Sequence, residues 1–159
     1  MDAITIRRAV AEDMEQLNEA LRHLSGEIGD EHGGTAGLLR KAGFGDNPAF
    51  RALLAEADGL VVGAALYSPV FSTVMASAGV YVSDLWVADA ARGQGLGKRL
   101  LSAVAEDAGT VWNAGYLKLA VYDDNDGARA FYDRLGFAPM ADETIMLLDR
   151  SGFESLKGQ

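Results

Sequence analysis

The residues of this 159-residue chain that most clearly suggest chemistry are a glycine-rich run with basic side chains, 92–98. The run has the sequence Arg-Gly-Gln-Gly-Leu-Gly-Lys and follows a predicted strand that ends at Val87, with a predicted helix starting near Leu96. Glycine permits positive φ angles and close approach of a ligand to the backbone. Successive N–H groups at a helix start attract anions, and the helix dipole assists them. The run therefore predicts an anion site, with Arg92 and Lys98 adding positive charge at its rim.

Two well-known phosphate-binding patterns do not fit this run. The P-loop pattern requires glycine at position 92 and serine or threonine at position 99, where the chain has Arg92 and Arg99. The dinucleotide pattern G-x-G-x-x-G, started at Gly93, meets Lys98 at its last position. On these residues alone, a glycine-rich turn with incidental basic neighbours stays open as the alternative.

The elements around the run are predicted from hydrophobic periodicity and turn residues. Met14, Leu17, Leu21 and Leu24 share one helical face, and Thr35 is a candidate helix cap. The predicted helices are 11–24, 35–43, 96–108 and 126–135, and the predicted strands are 4–7, 52–57, 60–67, 80–87, 117–122 and 145–148. This order indicates an α/β fold with a mixed sheet in a single domain, residues 1–150, followed by a frayed tail, residues 151–159.

Composition removes several classes of function. The chain has 14 Lys and Arg against 23 Asp and Glu, a net charge of −9, which argues against nucleic acid and anionic membranes as partners. Without cysteine it has no disulfide or thiolate metal site. The acidic start and the lack of an apolar segment after it predict no signal peptide, so we expect a cytoplasmic protein. The uncharged stretch 59–83 is better explained by two buried strands in mid-sheet than by a membrane span.

Two segments in order resemble a known family. Residues 82–87 with 92–97 resemble motif A of the GCN5-related N-acetyltransferase (GNAT) superfamily, whose core is R/Q-x-x-G-x-G/A, and residues 125–137 resemble its motif B. The resemblance implies acetyl-CoA as cosubstrate, with its pyrophosphate on the turn and its pantetheine beside the preceding strand. It also implies a GNAT fold with a central mixed, mostly antiparallel sheet of about six to seven strands and four helices. The implied cofactor-binding residues are Leu85, Trp86, Val87, Arg92, Gly93, Gln94, Gly95, Leu96, Gly97, Lys98, Asn125 and Ala128.

A finer resemblance concerns one branch of that superfamily. The segment 43–50, which contains G-F-G-x-x-P, and residues 80–84 are similar to the diamine (spermidine/spermine) and thialysine acetyltransferases. This resemblance implies a small primary amine as substrate and a homodimer. The chain departs from the branch at Ser83, where the branch has Glu before Asp84, and this departure leaves both the base and a polyamine substrate open.

Tyr132 and Asp84 are the candidate catalytic residues. The motif B resemblance makes Tyr132 a general acid near the thioester sulfur, although Ala128, Phe131, Tyr132 and Leu135 also have the spacing of a core helix face. Asp84 is a candidate base because an acid inside an apolar strand is uncommon, with a structural hydrogen bond as the alternative. Strand alternation would point Ser83 and Asp84 to opposite faces unless a bulge intervenes.

The acceptor side of the site is less defined. Candidate residues for a cationic substrate are Glu27, Asp30, Glu31, Tyr81 and Ser83, and a solvated acidic loop is the alternative for the three acids. His23 and His32 lack metal-ligand spacing, and residues 124–127 do not complete a calcium loop, so no metal is predicted. Two other functions stay open: a non-catalytic acyl-CoA-binding module and a protein or peptide N-acetyltransferase.

Overall fold

A computed structural model gives the fold of the chain and describes residues 3–140 and 142–158. The chain forms two compact units, the first ending at Asn125 and the second beginning at Asp126. None of the helices in the described ranges is long and apolar enough to cross a membrane. A single domain over 1–150 stays a prediction, and the two units are described separately below.

The first unit is built on a five-stranded sheet. Its strands, in both chain and spatial order, are β1 (Thr5–Arg8), β2 (Arg51–Ala57), β3 (Leu60–Ser72), β4 (Ser77–Val87) and β5 (Leu117–Leu119). Neighbours from β1 to β4 are antiparallel, whereas β5 runs parallel to β4. The predicted mixed, mostly antiparallel sheet is confirmed. The uncharged stretch forms β3 and most of β4, at the middle of the sheet.

Helices cover both faces of this sheet. They are α1 (Met14–Glu27), α2 (Ala36–Gly43) and α3 (Leu96–Trp112), with short 3-10 turns at Ala11–Asp13 and Asp89–Ala91. Gly63 of β3 faces α3, because a Cβ there would lie 3.2 Å from Leu96 and 3.1 Å from Leu100. The next residue, Ala64, packs in the core with Leu17 of α1. Since successive strand residues point to opposite faces, α1 and α3 lie on opposite sides of the sheet.

A β-bulge changes the register of β4 at Ser83. Leu66 of β3 pairs with Asp84 and Tyr67 pairs with Val82, so Ser83 is one extra residue on β4. On the other side, β5 pairs with β4 only as far as Val82. Residues 83–87 of β4 therefore have no strand on the β5 side within the described part of the chain. The strand predicted over 117–122 is too long, because β5 stops at Leu119, where its pairing with β4 ends.

The second unit contains α4 (Asp126–Arg134) and α5 (Arg150–Lys157). The predicted strand 145–148 is wrong: all four residues are exposed, from 54% to 90%, and none forms a strand. Apolar residue types favour a strand, but a strand also needs a partner to complete its hydrogen bonds, and no described residue supplies one. The frayed tail is also wrong, since Asp149 caps α5 by accepting a hydrogen bond from the Gly152 N–H at 2.9 Å. The described residues thus contain five strands and five α-helices, where about six to seven strands and four helices were expected.

Candidate functional site

The glycine-rich turn has the geometry of an anion site. Gly93 and Gly95 have φ angles of 76° and 75°, in the left-handed region that favours glycine. Gly95 is the N-cap of α3, and no side chain caps the helix there. The N–H groups of the first helical turn have no carbonyl partner within the helix, and no acidic residue lies among them. The backbone of the turn therefore has the geometry expected of an anion site, with free N–H groups and a favourable helix dipole, and anion binding itself stays a prediction.

Arg92 braces this turn. Its Nε donates a hydrogen bond to the Val87 carbonyl oxygen at 3.0 Å, and its two terminal nitrogens contact Glu27 at 2.9 Å and Asp89 at 2.8 Å. The guanidinium therefore joins the end of β4, the turn and the end of α1. Arg92 therefore has a structural role in addition to its positive charge, whereas the Lys98 side chain is exposed near the start of α3.

Leu85, Trp86 and Val87 lie on the part of β4 that continues past the end of β5. The Trp86 side chain is buried in the core, where its indole N–H donates to Glu27 Oε1 at 3.4 Å and its ring stacks on His23 at 5.4 Å between centroids. The side chain is thus engaged by α1. The main-chain groups of this segment that point away from β3 are the ones a ligand could pair with.

The bulge at Ser83 shapes the environment of Asp84. The Ser83 hydroxyl donates a hydrogen bond to the Leu66 carbonyl oxygen at 3.3 Å. Burial raises the pKa of Asp84, and the Ser83 hydroxyl and a charge on His32 oppose this only in part. Asp84 is thus a half-buried carboxyl with a raised affinity for protons.

The acidic loop after α1 is tied to its surroundings. The Tyr122 hydroxyl donates to both carboxylate oxygens of Asp30, at 2.9 and 3.0 Å, which raises the pKa of Tyr122. Glu27 is occupied by Trp86 and Arg92, and Glu31 is exposed. Of the three predicted acids, only Glu31 lies without one of these contacts.

Sequence analysis did not include His32, Asn18 or Ser25 among the candidate site residues. His32 contacts Asn18 of α1 at 2.8 Å and Ser25 of α1 at 3.1 Å. Asn18 is a buried polar residue on an otherwise apolar helix face, a signal that could have marked it. Tyr81, which the sequence did mark as a candidate substrate-binding residue, is half-buried on β4 and lies opposite Ser68 and Lys118 in the sheet.

Tyr132 lies on α4 in the second unit. Its ring packs edge-on against Phe131 and Phe137, with centroids 5.1 and 5.4 Å away. Burial raises the pKa of Tyr132, which keeps the hydroxyl protonated at neutral pH. Asn125 comes directly before α4, where its N–H donates to the Tyr122 carbonyl oxygen at 3.0 Å, and Ala128 lies within the helix. Their roles toward a cofactor stay predictions.

No group of three or more His, Cys, Asp or Glu side chains that could hold a metal ion occurs among residues 3–140 and 142–158. The free N–H groups of the turn suit an anionic ligand, and the half-buried Asp84 carboxyl can serve as a proton acceptor.

Comparison with known sequences gives a consistent result. Residues 14–137 match the model of the acetyltransferase (GNAT) family. A thialysine N-epsilon-acetyltransferase of Mus musculus is 37% identical over 129 residues, which cover 75% of this chain and 74% of that protein. The Sus scrofa enzyme of the same name is 33% identical over 146 residues, covering 86% and 85%. An L-ornithine N5-acetyltransferase of Arabidopsis thaliana is 34% identical over 79 residues, covering 50% and 34%.

Solved structures share the fold at lower identity. An integron cassette protein of V. cholerae has a TM-score of 0.81 and 22% identity, with 100% of both chains covered. A ribosomal-protein-alanine N-acetyltransferase of Brucella melitensis has a TM-score of 0.73 and 18% identity, covering 92% of this chain and 100% of that one. These likenesses show a common architecture.

Proposed function

Because the chain belongs to the acetyltransferase (GNAT) family and is an acyltransferase, we propose that it transfers an acetyl group from acetyl-CoA to the primary amine of a small molecule. The amine attacks directly in a ternary complex. The observation that carries the proposal is the turn of Gly93 and Gly95, whose geometry suits a pyrophosphate, next to the unpaired part of β4.

The residues present fit acetyl-CoA, which supplies an activated acetyl group when bound. The N–H groups that follow Gly95 hold the pyrophosphate, with Lys98 nearby and Arg92 bracing the turn. The main chain of Leu85–Val87 pairs with the pantetheine, and one of its N–H groups polarises the thioester carbonyl. A fixed donor of this kind contributes about 3 kcal/mol of transition-state stabilisation.

Proton transfers fall to Asp84 and Tyr132. An amine with a pKa near 10 arrives protonated, so it must lose a proton before its nitrogen can attack. Asp84 accepts this proton, directly or through water, and burial makes it a stronger base than an exposed carboxylate. The new N–C bond forms as the C–S bond breaks, and the Tyr132 hydroxyl donates its proton to the departing sulfur. The nitrogen then loses its second proton, which restores the Tyr132 hydroxyl. The Tyr132 role rests on motif B and on its protonated, half-buried hydroxyl.

The substrate is proposed to be a diamine-like or thialysine-like amine. Relatives are named for thialysine and ornithine, and both names specify acetylation at a side-chain nitrogen. Ser83 in place of an acid favours such an amino-acid amine over a long polyamine, because the site then has one negative charge fewer to bind the several positive charges of a polyamine. Glu31 and Asp30 are the acids we propose to face a second cationic group. Homodimer formation and a cytoplasmic location belong to the same proposal.

The test is turnover on a panel of amines. The protein is incubated with acetyl-CoA and thialysine, ornithine, lysine, spermidine or a set of peptides, and free thiol is followed over time. We expect turnover with an amino-acid side-chain amine, and mass spectrometry should place the acetyl group on that nitrogen. Tight CoA binding without turnover on any amine would contradict the proposed reaction and favour an acyl-CoA-binding module. Acetylated peptides alone would favour a protein acetyltransferase.

A further inference from the structure

The last residue of α1, Glu27, contacts the strand and the turn that are proposed to hold acetyl-CoA. Its Oε2 accepts a hydrogen bond from the Arg92 guanidinium at 2.9 Å, and its Oε1 accepts one from the Trp86 indole N–H at 3.4 Å. These partners lie 59 and 65 positions away along the chain, so the folded topology brings them together. One carboxylate therefore joins the end of a helix to the end of β4 and to the start of the glycine-rich turn.

The Arg92 guanidinium is fully engaged within the protein. Its Nε donates to the Val87 carbonyl oxygen at 3.0 Å, and the terminal nitrogen that does not contact Glu27 lies 2.8 Å from Asp89 Oδ1. Two carboxylates thus offset its single positive charge. A side chain held in this way orients the turn that follows it, and it does not present a free cation to a phosphate.

The turn itself depends on such contacts for a fixed conformation. Gly93 and Gly95 both have positive φ, and nothing lies within 4 Å of a Cβ added at either residue. Glycine has more backbone freedom than any other residue, so a turn with two glycines loses more entropy when it closes on a ligand. Contacts that hold the turn before the ligand arrives reduce this cost. Arg92 comes directly before Gly93, and its hydrogen bonds fix the start of the turn.

Trp86 is held by the same helix. Its side chain is only 7% exposed, and its ring stacks on His23 of α1 with 5.4 Å between centroids. His23 and Glu27 are four residues apart on α1 and lie on one face of it. Since Trp86 belongs to the segment proposed to pair with the pantetheine, Glu27 contacts both parts of the proposed cofactor site.

The same contacts bear on the sequence prediction that Glu27 binds a cationic substrate. A carboxylate that already accepts from a guanidinium has its charge balanced inside the protein, so it attracts an external cation less strongly. Glu31, four residues further along the chain, makes neither of these two contacts. The two acids should therefore affect different ligands.

We propose that Glu27 is a positioning residue for the cofactor: through Arg92 and Trp86, it holds the end of β4 and the start of the turn in the conformation that binds acetyl-CoA. The inference rests on the proposed function and deepens it, because it assigns Glu27 to the cofactor and not to the amine. It gives Glu27 no proton transfer or other catalytic step.

The first test compares Glu27→Gln with the wild type. Glutamine keeps an oxygen that can accept from the Trp86 indole but loses the charge that pairs with Arg92. The two charged side chains are 38% and 51% exposed, so we expect the Kd for CoA to rise about threefold to fivefold in isothermal titration calorimetry. The KM for the amine at saturating acetyl-CoA should stay within about 1.5-fold.

The direction of the change in Kd separates positioning from charge. By electrostatics alone, loss of a negative charge beside an anion site should tighten CoA binding. Weaker binding therefore supports the inference, whereas an unchanged or lower Kd would overturn it. A raised amine KM with an unchanged Kd would also overturn it, because Glu27 would then be an acid of the substrate site.

Two matched variants serve as controls. Asp89→Asn removes the other carboxylate beside Arg92, which is 87% exposed and three residues away, so it does not connect the turn to α1. The Kd for CoA should then stay within about 1.5-fold, and a loss as large as that of Glu27→Gln would contradict the role of the link to α1. Glu31→Gln makes the same chemical change in the acidic loop, where we expect a higher amine KM and an unchanged Kd for CoA.

A double variant tests whether Glu27 acts through Arg92. If it does, the Glu27→Gln change has no further effect once Arg92→Gln is present, and the double variant binds CoA no more weakly than Arg92→Gln alone. Two effects on the Kd that multiply would show independent action and would overturn the inference.

A third measurement needs no ligand. In the NMR spectrum of the ligand-free protein, the indole N–H signal of Trp86 should shift in Glu27→Ala, which removes its acceptor, while Trp112, the other tryptophan of the chain, serves as the internal reference. An unshifted Trp86 signal would contradict the contact on which the inference depends. A wild type that binds CoA but acetylates no amine would overturn the proposed reaction and leave the inference to be decided by the Kd values. A wild type that does not bind CoA would overturn both.

Discussion

Gly95→Ala is the sharpest test of the anion-binding turn. Gly95 has a φ of 75°, and a Cβ there would meet no atom within 4 Å. The cost of alanine is therefore conformational and not steric, about 1–2 kcal/mol for an L-residue in the left-handed region. If the turn relaxes to avoid this cost, its N–H groups no longer converge. The Kd for CoA should then rise by about fivefold to thirtyfold.

Gly37→Ala is the matched control for this substitution. Gly37 lies in α2, has no positive φ, and also has nothing within 4 Å of an added Cβ. The same chemical change at a helical position should stabilise the fold by about 0.5–1 kcal/mol and leave CoA binding unchanged.

The assay is isothermal titration calorimetry with CoA, combined with urea unfolding of the same samples. The reasoning fails if Gly95→Ala binds CoA as tightly as the wild type. It fails equally if Gly37→Ala weakens binding to the same extent, because the loss would then not belong to the turn.

Three further predictions follow from single groups. Tyr132→Phe should lower turnover by about a hundredfold while the CoA Kd stays within twofold, measured by thiol release and calorimetry; unchanged turnover would exclude the acid role. Burial raises the pKa of Asp84, so its ionised form costs stability as pH rises through that raised value. Asp84→Asn should therefore lower turnover yet raise the urea midpoint at pH 7, with no gain below the usual pKa of 3.8. Hydrogen bonds from Arg7 hold the pKa of Asp13 below its usual 3.8, so its stabilisation is complete above that pH and lost as pH falls through the lowered value. Asp13→Asn should cost about 1 kcal/mol at pH 7, with the difference closing in strong acid; a difference that does not depend on pH would contradict this account.

Local patterns in the sequence predicted the helices and the turn well. The apolar face of α1, the cap at Thr35 and the glycines of the turn depend on neighbours within a few residues, and each was found where expected. Strand ends were predicted less well. β3 runs on to Ser72 and β5 stops at Leu119, because each strand ends where its partner does.

The acceptor side of the site depends on contacts between distant residues. The bulge at Ser83 is a register shift between two strands, and residue type alone does not specify it. Glu27 reaches Trp86 across 59 positions and Arg92 across 65, and Tyr122 reaches Asp30 across 92. Such partners follow only from the folded topology, so the acids were predicted as a group but not their individual contacts.

The early end of β5 has a consequence for the tendency of this protein to aggregate when no ligand is bound. From Ser83 to Val87, β4 has no strand partner on the β5 side within the described residues, and the Val87 carbonyl oxygen instead accepts a hydrogen bond from Arg92. An unpaired edge is a template for any extended chain, including a second unfolded copy. A ligand that pairs with this edge would act like a missing strand, and amide hydrogen exchange along β4 would slow when it binds. Supply of cosubstrate would then govern resistance to aggregation as well as turnover.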